Sequence, residues 1–142
     1  MNPLRLLLAA VGGTVAYFVL GFLAFALLPL KTEFAKYPAV YRSQESIKTV
    51  MPYGMVGIFL SVLVLTVLYA SLDRHGSGLI EGLRFGVLIG LFTTGAFVLH
   101  NYVNLNIGLT LTIQQAIVYF VEWTFVGLVI GLIYPGAQPI PH

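Results

Sequence analysis

The stretch Gly78-Leu-Ile-Glu-Gly82-Leu-Arg-Phe-Gly86-Val-Leu-Ile-Gly90-Leu-Phe-Thr-Thr94 decides the fold. A small residue recurs at every fourth position along an apolar segment. In water such a helix is poor, because each interior glycine costs about 1 kcal/mol relative to alanine. In a bilayer the same spacing is an asset. Apolar burial no longer drives helices together there, and small-xxx-small faces let backbones approach closely. The segment therefore predicts a transmembrane helix built for tight packing.

Composition agrees. The 142 residues are 58% hydrophobic and 8% charged, with a mean hydropathy of +0.94. Soluble domains carry about 25% charged residues, so an ordinary globular fold is excluded. Seven basic residues face five acidic ones. No basic stripe accompanies this imbalance, so no nucleic acid is expected as a partner. The absence of cysteine removes disulfides, thiol redox chemistry, iron–sulfur clusters and thiolate zinc sites.

Spanning helices need about 20 largely apolar residues. Four segments qualify, at about 4–28, 53–72, 79–104 and 109–134. The first is uncharged from Leu6 to Leu30, longer than the apolar core of a signal peptide, and is read as a retained helix. Pro52 is expected in the first turn of the second, where its missing N–H is harmless. Pro135 stops the fourth, and the tail from Gly136 to His142 is expected to be extended. The expected fold is all-α, a single domain over 1–142: an antiparallel bundle of four transmembrane helices.

The connections differ. Lys31 to Met51 is the one long loop and carries Phe34, Tyr37 and Tyr41, aromatic residues suited to the membrane interface. Ser43 to Val50 is read as a short amphipathic helix lying there. The polar turns Asp73–Ser77 and Asn104–Gly108 are short, which predicts hairpins of helices two and three and of three and four. Arg5, Arg74 and Arg84 fall on one side of the membrane, and Lys31, Lys36, Arg42 and Lys48 on the other. Three against four does not set orientation by the positive-inside rule, and insertion both ways stays open.

Counting outward from Ile107 places polar residues in two layers. Glu122 falls level with Thr93 and Thr94 near mid-bilayer. His100, Asn101, Gln114 and Gln115 form a layer nearer the turn. Gln115, Tyr119 and Glu122 share one face of helix four, and Gly127 and Gly131 lie on the opposite one. Gly13 and Tyr17 of helix one, with Ser61 and Thr66 of helix two, are expected to join the interior.

Glu122 has two readings. A carboxyl at bilayer centre costs about 2.5–3.5 kcal/mol on insertion scales, so it faces inward and takes a partner. It is either a proton or cation site, or a neutral acid bonded to Thr93, Thr94 or Tyr17 as interhelical glue. His100 has no second histidine at ligand spacing, since His75 and His142 lie elsewhere, and no metal or other cofactor is expected. Glu81 and Arg84 are expected to pair on one helix face, or Arg84 to meet lipid headgroups. Trp123 lies too deep for an interfacial anchor and is assigned to packing on lipid or a partner helix. No enzyme signature is present: no HExxH, GxSxG, phosphate loop or paired carboxylates.

The glycine series winds around a 3.6-residue helix, which predicts two neighbours sharing its groove, with helix one or two within it. Two functional classes follow. One is a non-enzymatic bundle acting through packing, as an accessory subunit or an oligomer. The other is a small transporter or hydrophobic-ligand-binding protein with Glu122 as a proton-coupled site.

From Gly82-Leu-Arg-Phe-Gly86-Val-Leu-Ile-Gly90-Leu-Phe to Asn101-Tyr102, and on through helix four, the chain resembles small bacterial four-helix membrane proteins of conserved families of unknown function. The shared pattern is the glycine-spaced third helix, an asparagine eleven residues after its last glycine, a short turn and a fourth helix. Tyr41-Arg42-Ser43-Gln44 is similar as well, whereas Glu122 lies outside the pattern. The resemblance implies the fold and a bacterial inner membrane, and no activity. Small multidrug transporters are similar in size, helix number and weak charge bias. Their essential glutamate lies in the first helix, which here has no acidic residue.

Overall fold

The computed structural model describes residues 2–72 and 76–135, so expectations for Asp73, Arg74, His75 and the 136–142 tail lie outside the described residues. The chain is a multi-pass membrane protein, with four helices long and apolar enough to cross a bilayer. Large apolar side chains such as Phe22, Leu27, Val64, Leu88, Phe92 and Val103 point outward. That arrangement suits lipid and not water.

Helix α1 (Pro3–Leu27) starts on Asn2, whose side chain accepts from the Arg5 N–H, with Pro3 in the first turn. A short helix, α2 (Leu30–Ala35), follows Pro29. Helix α3 (Gln44–Ser71) is one continuous 28-residue rod. This corrects the expected start near Tyr53 and the separate amphipathic helix over Ser43–Val50. Ser43 caps the helix early by accepting from the Ser46 N–H. Pro52 therefore sits inside the helix and not in its first turn. At 1.5 Å per residue the rod is about 42 Å long, more than a hydrocarbon core of about 30 Å. Its first turns extend beyond that core, where water can meet the carbonyl that Pro52 leaves unbonded.

The third span runs from Gly78 to Asn104. It comprises α4 (Gly78–Thr93), a π-helical turn (Thr94–Leu99) and α5 (His100–Asn104). The loosening has a local cause. The Thr93 and Thr94 hydroxyls both donate to the Gly90 carbonyl, at 3.0 and 2.8 Å, and compete with the backbone ladder. Gly95, one residue past the four-residue series, does not extend the glycine face, and a Cβ there would meet nothing within 4 Å. Helix α6 (Leu109–Ile133) closes the chain.

Packing runs in the order α3, α1, α6, α4, with α4 on α6 the most extensive pair. The hairpin of α3 and α4 is not a packed pair along its length, contrary to expectation. The two touch through Tyr69 and Phe85, whose ring centres are 5.2 Å apart. The small residues of α4 all face α6, so its closest approach goes there.

The glycine groove takes one neighbour and not two, and that neighbour is α6. Added Cβ atoms at Gly78, Gly82, Gly86 and Gly90 would strike backbone oxygens of Gly131, Gly127, Thr124 and Phe120 in turn. One helix can follow the winding groove because α6 is itself bare at Gly127 and Gly131. Each helix sinks into the other. Val62, Tyr69, Phe85, Trp123, Val126 and Ile130 fill the main core.

Candidate functional site

Glu122 lies near the middle of α6 and is 4% exposed. Its neighbour is α1 and not the third span. The Tyr17 side chain, near the middle of α1, is its polar neighbour on that helix. One carboxyl oxygen fills the notch at Gly21, where an added Cβ would lie 2.8 Å from it. Gly13, Tyr17 and Gly21 form a second four-residue series, on α1. Gly13 admits Val62 and Val126, Tyr17 supplies the hydroxyl, and Gly21 makes room for the acid. Gly21 is the residue that sequence reasoning missed, although the same spacing that marked α4 marks it too.

Thr93 and Thr94 are not partners of Glu122, because their hydroxyls bond back to Gly90 within their own helix. Contacts pairing Gly90 with Phe120 and Gly86 with Thr124 set Glu122 level with a lower turn of α4 than counting from Ile107 predicts.

The layer nearer the turn is also rearranged. Gln115 donates to the Tyr41 hydroxyl at 3.3 Å, and the Gly108 N–H donates to Tyr37 at 2.9 Å. His100 is exposed, its carbonyl accepting from Asn104, and Asn101 is half-buried. Neither joins Gln115. Gln114 keeps a buried side-chain oxygen without a partner. The reason is the 31–51 connection, which folds over this end. Leu30, Ile107 and Leu111 form a small core under Phe34, Tyr37 and Tyr41. Its one ion pair among the described residues, Lys36 to Glu33 at 2.6 Å, holds the Lys36 ammonium above the usual lysine range through that hydrogen bond.

Tyr119 packs on the main core, on the face of α6 that also carries Gln115 and Glu122. Trp123 packs on Tyr17, ring centres 5.2 Å apart, and its buried indole N–H has no hydrogen-bond partner. Thr66 is buried and bonded to the Val62 carbonyl, whereas Ser61 is exposed and stays outside the interior. Arg84 is exposed and forms no pair with Glu81, which instead accepts from the Gly76 N–H at 2.6 Å. Among the described residues no three metal-ligating side chains gather.

Comparison with family models, curated proteins and solved structures gives no match to this chain. Chemistry and geometry therefore carry the functional argument.

Proposed function

We propose that this chain is a non-enzymatic protein of the bacterial inner membrane that works through helix packing, as a subunit of a larger membrane complex or as a homo-oligomer. The observation behind this reading is the face of α3 that carries Gly54, Gly57 and Ser61. These residues share one side of the helix, all are exposed, and added Cβ atoms at both glycines would meet nothing within 4 Å. The glycines of α4 and α6 are used within the chain. Those of α3 are small-residue spacing without a partner in it. Only 17% of the most apolar stretch of α3 is buried, as for α1, against 33% for α4's span and α6. The bacterial placement rests on the resemblance over residues 82–102 and the helix that follows.

Site-directed cross-linking tests this reading, and the chain has no cysteine to interfere. A cysteine in place of Ser61 should cross-link to a second copy or another subunit in native membranes. A cysteine in place of Leu88, on the lipid side of α4, should not. Equal yields at both positions would overturn the proposal.

The buried acid favours a second reading, a small transporter or hydrophobic-ligand-binding protein with Glu122 as its proton-coupled site. An intramembrane carboxyl is a functional candidate by default. An open apolar groove of about 490 Å³ lies between α1 and α3, lined by Thr14, Phe18, Met55 and Phe59 among others. Its volume is in the range of small-ligand sites. Under this reading Glu122→Gln abolishes a pH-dependent activity, and unchanged ligand binding in that variant rules it out.

A further inference from the structure

Helices α1 and α3 are drawn together at Gly13, where an added Cβ would lie 2.8 Å from Val62. Just beyond, toward the 31–51 connection, the pair opens into the groove of about 490 Å³. Phe18 of α1 and Met55 and Phe59 of α3 line it, with the exposed Val19 and Val56 at its rim. The one hydroxyl in the lining, that of Thr14, donates to the Ala10 carbonyl at 2.7 Å. No free polar group is left in the wall to hold a polar molecule, so its occupant is a hydrocarbon. A concave wall touches such a chain on two sides and gains more dispersion contacts than a smooth helix face offers.

The same side of α3 carries a charge. Lys48, Met55 and Phe59 follow i, i+7, i+11 spacing and share one line along the helix. At 1.5 Å per residue, Lys48 lies about 10 Å from Met55 and about 16 Å from Phe59 along the axis. One leaflet's share of the hydrocarbon core is about 15 Å. Counting equal steps from the Gly13–Val62 contact sets Lys48 level with Leu27, the last residue of α1. The ammonium therefore stands at headgroup level while the groove lies within the leaflet beneath it. Lys48 is exposed and makes no ion pair among the described residues. Lys31, at the start of α2, is exposed and unpaired in the same sense. Glu45 lies off the Lys48 line by about 60°. Gly54 and Gly57 are on the far side of α3, so an occupied groove leaves that face open to a second protein.

We propose that this groove holds an acyl chain of an anionic phospholipid from the leaflet on the 31–51 side, with Lys48 at its phosphate. The proposal names the ligand class of the second reading above. It rests on that reading's groove and not on proton coupling at Glu122. An anionic headgroup offers Lys48 an uncompensated negative charge, whereas a zwitterionic one brings its own ammonium to the same phosphate.

The test uses the full chain in phosphatidylethanolamine vesicles that contain a trace of phosphatidylglycerol with a photoreactive diazirine at mid-chain. Peptide mass spectrometry locates the adducts. Phe18 and Phe59 should be labelled at least five-fold above Leu88, an exposed residue on the lipid side of α4. Placing the diazirine on phosphatidylethanolamine should lower that excess several-fold, and so should Lys48→Gln with the phosphatidylglycerol probe. Val56→Trp, which fills the groove from its exposed rim, should remove the excess with either probe. An excess that is equal for both probes, or unmoved by Lys48→Gln, overturns the anionic lipid but keeps the groove as a ligand site. Labelling of Phe18 and Phe59 no stronger than that of Leu88, in a protein with native helix content, overturns the proposal and the ligand-binding reading together.

Discussion

Helix α6 has two faces, and they are built on opposite principles. Against α4 it is stripped to backbone: Gly127 and Gly131 meet Gly78, Gly82 and Gly86, and little but main chain occupies the contact. Against α1 it keeps a polar side chain, with Glu122 beside Tyr17 and seated at Gly21. The first face depends on four-residue spacing of small residues, and the second on Gly13 and Gly21 with Tyr17 between them. On the first, the small residues remove everything between two helices. On the second, they open a space that one polar group fills. In a bilayer, where apolar burial gives helices no reason to associate, close packing and polar contacts between helices are two of the remaining means. This molecule uses one on each side of a single helix.

Substitutions can break that contrast in graded steps. Gly82→Val should have the largest effect. Its Cβ alone would lie 2.6 Å from the Gly127 oxygen and 2.9 Å from the Gly131 Cα. Backbone cannot rotate away, so α4 must separate from α6 at a cost of about 3 kcal/mol. Reversible unfolding in mixed micelles reads this directly. Glu122→Ala comes next, losing about 2 kcal/mol because the buried carboxyl that fills the notch at Gly21 is replaced by a cavity. Glu122→Gln keeps that notch filled and should lose less than half of that in the same assay. Tyr37→Phe removes the bond that ties the 31–51 connection to Gly108 and should cost about 1 kcal/mol. Faster amide exchange at Gly108 would accompany it.

Gly57→Ala should have the smallest effect on the chain itself. Nothing lies within 4 Å of the new methyl group, and alanine is the better helix former by about 1 kcal/mol. The isolated chain should be unchanged or slightly more stable. A loss of stability there would mean that α3 packs inside the chain more closely than its open face indicates.

Much of the fold was legible because hydropathy and helix length are local properties. Pro3, Pro135 and the charge-free runs bound the spans to within a residue or two, except at α3. There the Ser43 cap begins the helix in a polar stretch that hydropathy does not register. Pairing was less legible. The glycine series announced close contact, but which helix would enter it depended on Gly127 and Gly131, two turns of a different helix. Of the three neighbours the sequence offers Glu122, Tyr17 is the one found beside it, and Thr93 and Thr94 fall at another level for a related reason. Counting from a turn assumes uniform helices, and the π-helical turn after Thr93 breaks that assumption. Thr93 and Thr94 looked available as donors, yet a hydroxyl in an apolar helix satisfies itself on its own backbone. Gln115 found Tyr41 because the long connection folds back over the bundle, a long-range event with no local sign.

The central claim is that the glycines of α4 and α6 are consumed within the chain, whereas the face of α3 with Gly54, Gly57 and Ser61 serves a second molecule. Native mass spectrometry of the protein extracted with its lipids tests this most directly. The wild-type chain should appear as an oligomer or with a co-purifying subunit, and Gly57→Phe should return it to a folded monomer. A wild-type chain that runs as a lone monomer, with no partner under gentle extraction, would contradict the claim.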